Sequence, residues 1–369
     1  MELSFKIQAK TLMELLKVVD KCTNDRNHIA ILNNILFDVN GDRLEITGSD
    51  VDCSISAVLA VQGNGEKGSF CVNAKRLFDA VKCLPNDVLQ FVVSDGDVQL
   101  IYSTGVYKLP NEDAADFPRM ESPKDEQKIL NLPSMVISEG LEKVLFAIGS
   151  NELHPQLGGV YFNIHEDSLD MVATDTVILS AYTHTCNAAT ECSFILPQKA
   201  STLLGKLLND ECDVLVAYTP SKVRFVTSAF TLESVLIKGN YPNYNKVMPK
   251  EFTYDATVSQ PQLKDAIARV SVCAGLSAIA RFSFTPMLLS LSAQDIDFRV
   301  SAQENIDCNC VCTEKLHLSS PKILGALGVM PAADVVLRFN EPNRPVLLAP
   351  AQQGEGSEFR VLLMPMQAS

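Results

Sequence analysis

The stretch Leu44–Asp50 reads LEITGSD, and its pattern returns twice, as LDMVATD at Leu169–Asp175 and LSLSAQD at Leu289–Asp295. Each copy begins with Leu, alternates apolar with other positions, passes through small residues and ends on Asp. Alternation with a period of two is the mark of a half-buried β-strand. The copies recur about every 120 residues, and self-similarity at a fixed period signals a repeated structural unit.

Working outward, six segments carry helical spacing: Lys10–Thr23, Asn73–Leu84, Ser138–Ser150, Leu196–Asp210, Ser259–Gly275 and Ser319–Met330. In the first, Leu12, Leu15, Leu16 and Val19 fall on one stripe; in the fourth, Leu203, Leu204, Leu207 and Leu208 do. Asn73 and Ser138 are placed to cap helix starts, and Pro321 sits just inside the last helix. Between the helices lie strand runs broken by turn signals at Asn40-Gly41, Asp95-Gly96 and Thr219–Lys222. The expected class is α+β: one helix followed by several antiparallel strands, used six times, two units to a domain. Polar, proline-containing breaks near Ser122–Pro123 and Met248–Lys250 divide the chain into domains 1–123, 124–250 and 251–369.

At 369 residues, two or three domains are the natural expectation, and the 47% hydrophobic content supplies ample core. The opening MELSFKIQAK lacks an apolar signal region, and no run reaches the roughly 18 apolar residues of a membrane span. A cytoplasmic chain without a membrane partner is expected. Eleven cysteines, in no disulfide-like spacing, fit reduced and mostly buried thiols.

A net charge of −13 argues against a nucleic-acid binder, because phosphate binding rests on Lys and Arg. The distribution says otherwise. On the six helical segments Lys and Arg outnumber Asp and Glu, so strands and loops carry the acidity. Charge alone leaves two alternatives open: cations that keep a helix surface solvated, or helices that all face one anionic ligand. If helices ~10 Å wide line a ring, six leave a hole of roughly 9 Å and twelve one of roughly 28 Å. A ring of two identical protomers is therefore wide enough for duplex DNA. Such a ring would meet phosphates without reading bases, and its hold would weaken with salt.

Enzymatic chemistry finds little support. His28, His154, His165, His184 and His317 show no zinc spacing, and no phosphate-binding glycine loop or nucleophile elbow occurs. Cys308, Cys310 and Cys312 alternate onto one face, but without a CxxC they suit a buried strand better than a metal. The pairs Asp50/Asp52, Asp95/Asp97 and Asp295/Asp297 sit near strand ends, where Asp is favoured for local hydrogen bonding. No catalytic residue, cofactor or metal is expected.

Several stretches carry a resemblance: ADFP at Ala115–Pro118, LGGVYF at Leu157–Phe162, ATD at Ala173–Asp175, YPNYNKVMP at Tyr241–Pro249 and LMPM at Leu363–Met366. In this order and spacing the chain resembles, over nearly its whole length, the beta subunit of bacterial DNA polymerase III, the beta sliding clamps. The resemblance implies a head-to-tail homodimeric ring of six domains, helices inside, around double-stranded DNA without sequence specificity. It also implies a processivity role, with the polymerase III alpha subunit, the clamp loader and other clamp-binding-motif proteins as partners.

In such a clamp, partners insert a short apolar peptide into a pocket between the second and third domains. Carried onto this chain, that pocket takes Leu157, Thr174, Thr176, Val177, Ile178, Leu179, Pro242, Lys246, Val247, Val346, Leu362, Leu363, Met364, Pro365 and Met366. DNA contact falls to Arg26, Lys75, Arg76, Lys82 and Lys199, and the protomer contact to Tyr107 and Leu109 against Val272 and Cys273. The family usually follows ATD with Gly-His-Arg or Gly-His-Lys and then Leu; here the run is Thr176-Val177-Ile178-Leu179, which predicts a greasier pocket. The alternative is a diverged clamp-like scaffold with altered partners.

Overall fold

The computed structural model describes residues 3–23, 29–120, 127–150, 153–188, 191–208 and 211–367. Arg26 and the expected boundary at Ser122–Pro123 lie outside the described residues. Six α-helices occur among the described residues: α1 Ala9–Val19, α2 Ala74–Lys82, α3 Ser134–Val144, α4 Gln198–Leu207, α5 Gln260–Ser271 and α6 Ser320–Gly328.

Five of these start within a few residues of the predicted positions, and local chemistry explains two starts directly. The Asn73 side chain accepts the Arg76 amide at 3.1 Å, capping α2. Pro321 occupies the first turn of α6, where its missing N–H costs nothing. The third helix departs from expectation. It begins at Ser134, directly after the strand Gln127–Pro133, so Ser138 lies inside the helix rather than at its cap. The Ser134 hydroxyl instead accepts the Cys212 amide at 3.2 Å.

The three repeated stretches form equivalent strands, Arg43–Ser49, Ser168–Thr174 and Leu288–Asp295. Each terminal aspartate ties the turn that follows it. Asp50 Oδ1 accepts the amides of Asp52 and Cys53 at 2.9 and 2.6 Å. Asp175 Oδ1 accepts those of Val177 and Ile178 at 2.9 and 2.8 Å. Asp295 Oδ1 accepts those of Asp297 and Phe298 at 3.0 and 3.1 Å. Local hydrogen bonding of this kind accounts for aspartate at these positions. The predicted turns also form: Gly41 and Gly96 take positive φ, and the Thr219 hydroxyl accepts the Lys222 amide at 3.0 Å.

The chain divides into two compact units, Met1–Ser134 with Lys206–Leu236, and Met135–Gly205 with Ile237–Ser369. This division runs through the central repeat, because backbone pairing carries its strands into two different sheets. In the first unit a 13-stranded antiparallel sheet forms as Thr231–Val235 pairs with Cys53–Ala60, placing Leu232 opposite Ile55. Helices α1 and α2 pack on one another here, and Leu12, Leu16 and Val19 of α1 are buried. In the second unit an eight-stranded sheet forms as Ile178–Thr185 pairs with Ser357–Leu363, and a four-stranded sheet completes the C-terminal repeat. Helices α5 and α6 pack together beside them.

Candidate functional site

Eleven of the residues assigned to the peptide pocket lie on strands or turns around the join of Ile178–Thr185 with Ser357–Leu363, or on the chain running out of it. Register decides which way each side chain points. Ile178 faces Leu363, which faces Val346 on the next strand; Leu179 faces Leu362, which faces Leu347. Directly opposed residues share a face, and successive residues alternate. The two rows therefore lie on opposite sides of the sheet.

One side belongs to α3. Ser180 donates to the Lys143 carbonyl at 2.7 Å, Tyr182 donates to Glu139 at 3.0 Å, and the Lys143 ammonium lies 4.8 Å from the Tyr182 ring centre. Ile178, Val346 and Leu363 alternate onto this side and are buried. Ile178 therefore packs beneath the sheet on the α3 side, so within the run Thr176-Val177-Ile178-Leu179 it does not face the same way as Leu179.

The other side carries Leu179 and Leu362, packed with Val172, Ala181, Leu347 and Tyr244, and flanked by Tyr161, Tyr241, Met248 and Phe252. Tyr161 and Tyr241 stack with ring centres 4.6 Å apart. Tyr244 donates to Asp170 at 2.6 Å. Burial raises the Tyr241 and Tyr244 hydroxyls well above the usual phenol range, and the bond to Asp170 raises Tyr244 further, so both stay neutral. Around this floor the surface is apolar and open: Val247, Met364 and Met366 are exposed, as are Pro242, Lys246 and Thr176. The Met364 amide donates to the Val177 carbonyl at 2.9 Å and the Met366 amide to the His317 carbonyl at 2.8 Å, fixing the tail beside the turn. Leu157 is buried, and its carbonyl accepts the Gly149 amide at 3.1 Å. A neighbouring cleft of about 700 Å³ is lined by Lys246 and Val247 together with Pro249, Glu341, Arg344 and Pro345. An apolar floor with a few polar groups at its margin is the ordinary form of a peptide or ligand site.

Thr176 stands out because its φ is +81°. A β-branched residue there is strained, and glycine adopts that region freely. The family's usual glycine at this place has this physical reason. Thr176→Gly is expected to raise stability by about 1 kcal/mol, read as an increased urea midpoint at unchanged slope.

The residues assigned to DNA contact are exposed where described. Lys75, Arg76 and Lys82 lie on α2 away from its buried Ala74, Leu77, Ala80 and Val81, and Lys199 lies in the first turn of α4. Sequence reasoning did not single out Lys21, whose ammonium donates to the Lys206 carbonyl at 3.3 Å. Partial burial and then the Lys206 charge lower its pKa, so cationic groups converge there.

The residues assigned to a protomer contact lie on strand edges or near them. Along Gly105–Pro110 the strand carrying Tyr107 and Leu109 pairs on one side only among the described residues, with Asp97–Tyr102. Val300–Asp307 likewise pairs only with Leu288–Asp295. Val272, at the end of α5, is 84% exposed, while Leu109 is 9% exposed. Sequence reasoning missed Leu276, Ile296 and Phe298, which stand exposed around a recess of about 320 Å³ near Val272. Their signal was large apolar residues placed in tight turns, where no core receives them.

The three cysteines predicted to share a face are buried. Burial pushes the Cys308 thiol up to about 12 and the Cys312 thiol up to about 11, which disfavours the thiolate that a metal needs. Among the described residues no cluster of three His, Cys, Asp or Glu is arranged to hold a metal, and no helix is long and apolar enough to cross a membrane.

Tandem helix-and-sheet repeats, an apolar shelf on one continuous sheet and one-sided strand edges together define a fold of the sliding-clamp class. The sliding clamp (DNA polymerase III subunit beta) from Pseudomonas aeruginosa bound to griselimycin superimposes with a TM-score of 0.92 at 23% identity, over 100% of both chains. The DNA polymerase sliding clamp from Bacillus subtilis gives 0.91 at 22%, also over 100% of both. The chain belongs to the DNA polymerase III beta subunit family: the N-terminal domain model matches residues 3–121, the central domain model 131–243 and the C-terminal domain model 245–367. Among curated relatives, the beta sliding clamp of Haemophilus influenzae is 27% identical over 99% of this chain and 100% of its own. That of Bacillus subtilis is 27% identical over 94% and 95%.

Proposed function

We propose that this protein is a processivity clamp: two copies close head to tail into a ring around duplex DNA and tether a DNA polymerase to its template. The observation that carries the proposal is the pair of one-sided strand edges, each beside apolar residues that the folded chain leaves uncovered. An unpaired edge is a template for pairing with another chain, and a head-to-tail contact that closes gives a ring. Family membership over nearly the whole chain supports three domains per protomer, divided near residues 123 and 250, and six per ring. The exposed cations of α2 and α4 would line the hole and meet phosphate without reading sequence.

The apolar shelf around Leu179, Leu362, Val247 and Met364 would take the short apolar peptide by which the polymerase alpha subunit, the clamp loader and other partners attach. The protein itself carries out no chemistry in this role. The test is primer extension on a long primed circular template by the cognate polymerase and clamp loader at single-hit enzyme levels. Adding the protein is expected to lengthen products at least tenfold; unchanged product length contradicts the assignment.

A further inference from the structure

Three aspartates tie equivalent turns, and the middle one has a second bond. While Asp175 Oδ1 holds the amides of Val177 and Ile178, its Oδ2 receives the ammonium of Lys322 from α6. The pair is mostly shielded, with the Asp175 side chain 15% and the Lys322 side chain 35% exposed. The residue that follows is the strained Thr176; Val51 and Ile296, its counterparts after Asp50 and Asp295, keep negative φ. The same turn is backed at close range. A Cβ on Gly149 would lie 3.2 Å from the Asp175 Cα, so a side chain there would press on the turn and the glycine lets the two backbones pack closely. Beyond the turn, the Val177 carbonyl receives the Met364 amide and so fixes the exposed end of the shelf.

We propose that the Asp175–Lys322 ion pair positions the partner-peptide site, with Lys322 acting as a positioning residue that need not touch the peptide. The inference rests on the shelf being the peptide site, as proposed above. Physically, strain at Thr176 persists only where its surroundings over-determine it. The carboxylate supplies that restraint by holding two amides, and the ammonium holds the carboxylate in place. Without Lys322 the carboxylate is free to turn toward water, the turn relaxes and the bond from Met364 to Val177 loosens. Lys322 is then committed to the partner site and is subtracted from the cations available to DNA.

The test is a fluorescence-anisotropy titration of the full-length protein with a labelled, glutamine-led apolar peptide. Lys322→Met is expected to weaken binding about tenfold, about 1.4 kcal/mol at 25 °C. Adding Thr176→Gly, which removes the strain, is expected to bring the double variant to within about twofold of Thr176→Gly alone, a non-additivity characteristic of coupled residues. Binding by Lys322→Met within twofold of the unaltered protein overturns the proposal, as does a loss that Thr176→Gly does not relieve. Amide hydrogen exchange gives a readout independent of any peptide: the Val177, Ile178 and Met364 amides of Lys322→Met are expected to exchange at least tenfold faster, and unchanged exchange also overturns it. Failure of the unaltered protein to bind peptide, with exchange accelerated as expected, removes the peptide-site assignment and leaves the positioning role of the pair standing.

Discussion

Leu276→Asp combined with Phe298→Asp is expected to convert the proposed dimer to monomers, raising its dissociation constant at least 100-fold, about 2.8 kcal/mol. In the single chain Leu276 is fully exposed and Phe298 is 79% exposed, so neither supports the fold of its own protomer. Large apolar side chains held in the open by tight turns are the features that anchor protein contacts, and a carboxylate at the centre of such a contact is buried without a partner. Sedimentation velocity at micromolar concentration reads the change directly, from a species of about twice 40.3 kDa to one of 40.3 kDa. Thermal unfolding of the isolated chain is expected to be unaffected. A dimer that survives both substitutions places the contact elsewhere on the surface.

Gly48→Val is expected to destabilise the first unit by about 3 kcal/mol, because it overpacks a site where no side chain fits. A Cβ on Gly48 would collide with the carbonyl oxygen of Val19, the last residue of α1, and meet Thr23 Cγ2 at 3.2 Å. The obstacle is backbone, which cannot swing aside as a flexible side chain would. The corresponding residues in the other two repeats are Ala173 and Ala293, both buried, so all three strands are small at this point. Gly328→Ala serves as the comparison: its Cβ would meet nothing within 4 Å, and a change within about 0.5 kcal/mol is expected. Urea unfolding distinguishes the two.

These small residues show how much of the fold was legible beforehand. The repeat LEITGSD, LDMVATD, LSLSAQD located three equivalent strands, and the spacing of leucines located the helices. Both signals are local, since they follow from which face of one element is buried. The start of α3 was misplaced because Ser138 has the chemistry of a cap, whereas the helix begins four residues earlier at Ser134, whose hydroxyl is engaged by the amide of Cys212, far along the chain. Likewise, pairing between strands of different repeats is long-range, and the sheet that joins Ile178–Thr185 to Ser357–Leu363 left no mark within either segment.

Resemblance supplied the residues of the proposed peptide site, but the directions of their side chains were not legible. Ile178 and Leu179 are neighbours in sequence, and only register with Leu362 and Leu363 sends one toward α3 and the other to the shelf. The strain at Thr176 is also invisible in composition. It emerges only where backbone geometry meets a residue that departs from the family's glycine. The exposed residues Leu276, Ile296 and Phe298 escaped because a pattern search looks for stripes, whereas turns present apolar residues singly.

Retention on DNA tests the account most directly. The protein, loaded by its clamp loader onto a nicked circular plasmid, is separated from free protein by gel filtration before and after the circle is cut once with a restriction enzyme. A topological link predicts that the protein stays with the intact circle at high salt, where phosphate contacts are screened, and is lost from the linear form. Equal retention on both forms, or release from both as salt rises, contradicts a ring closed around the duplex.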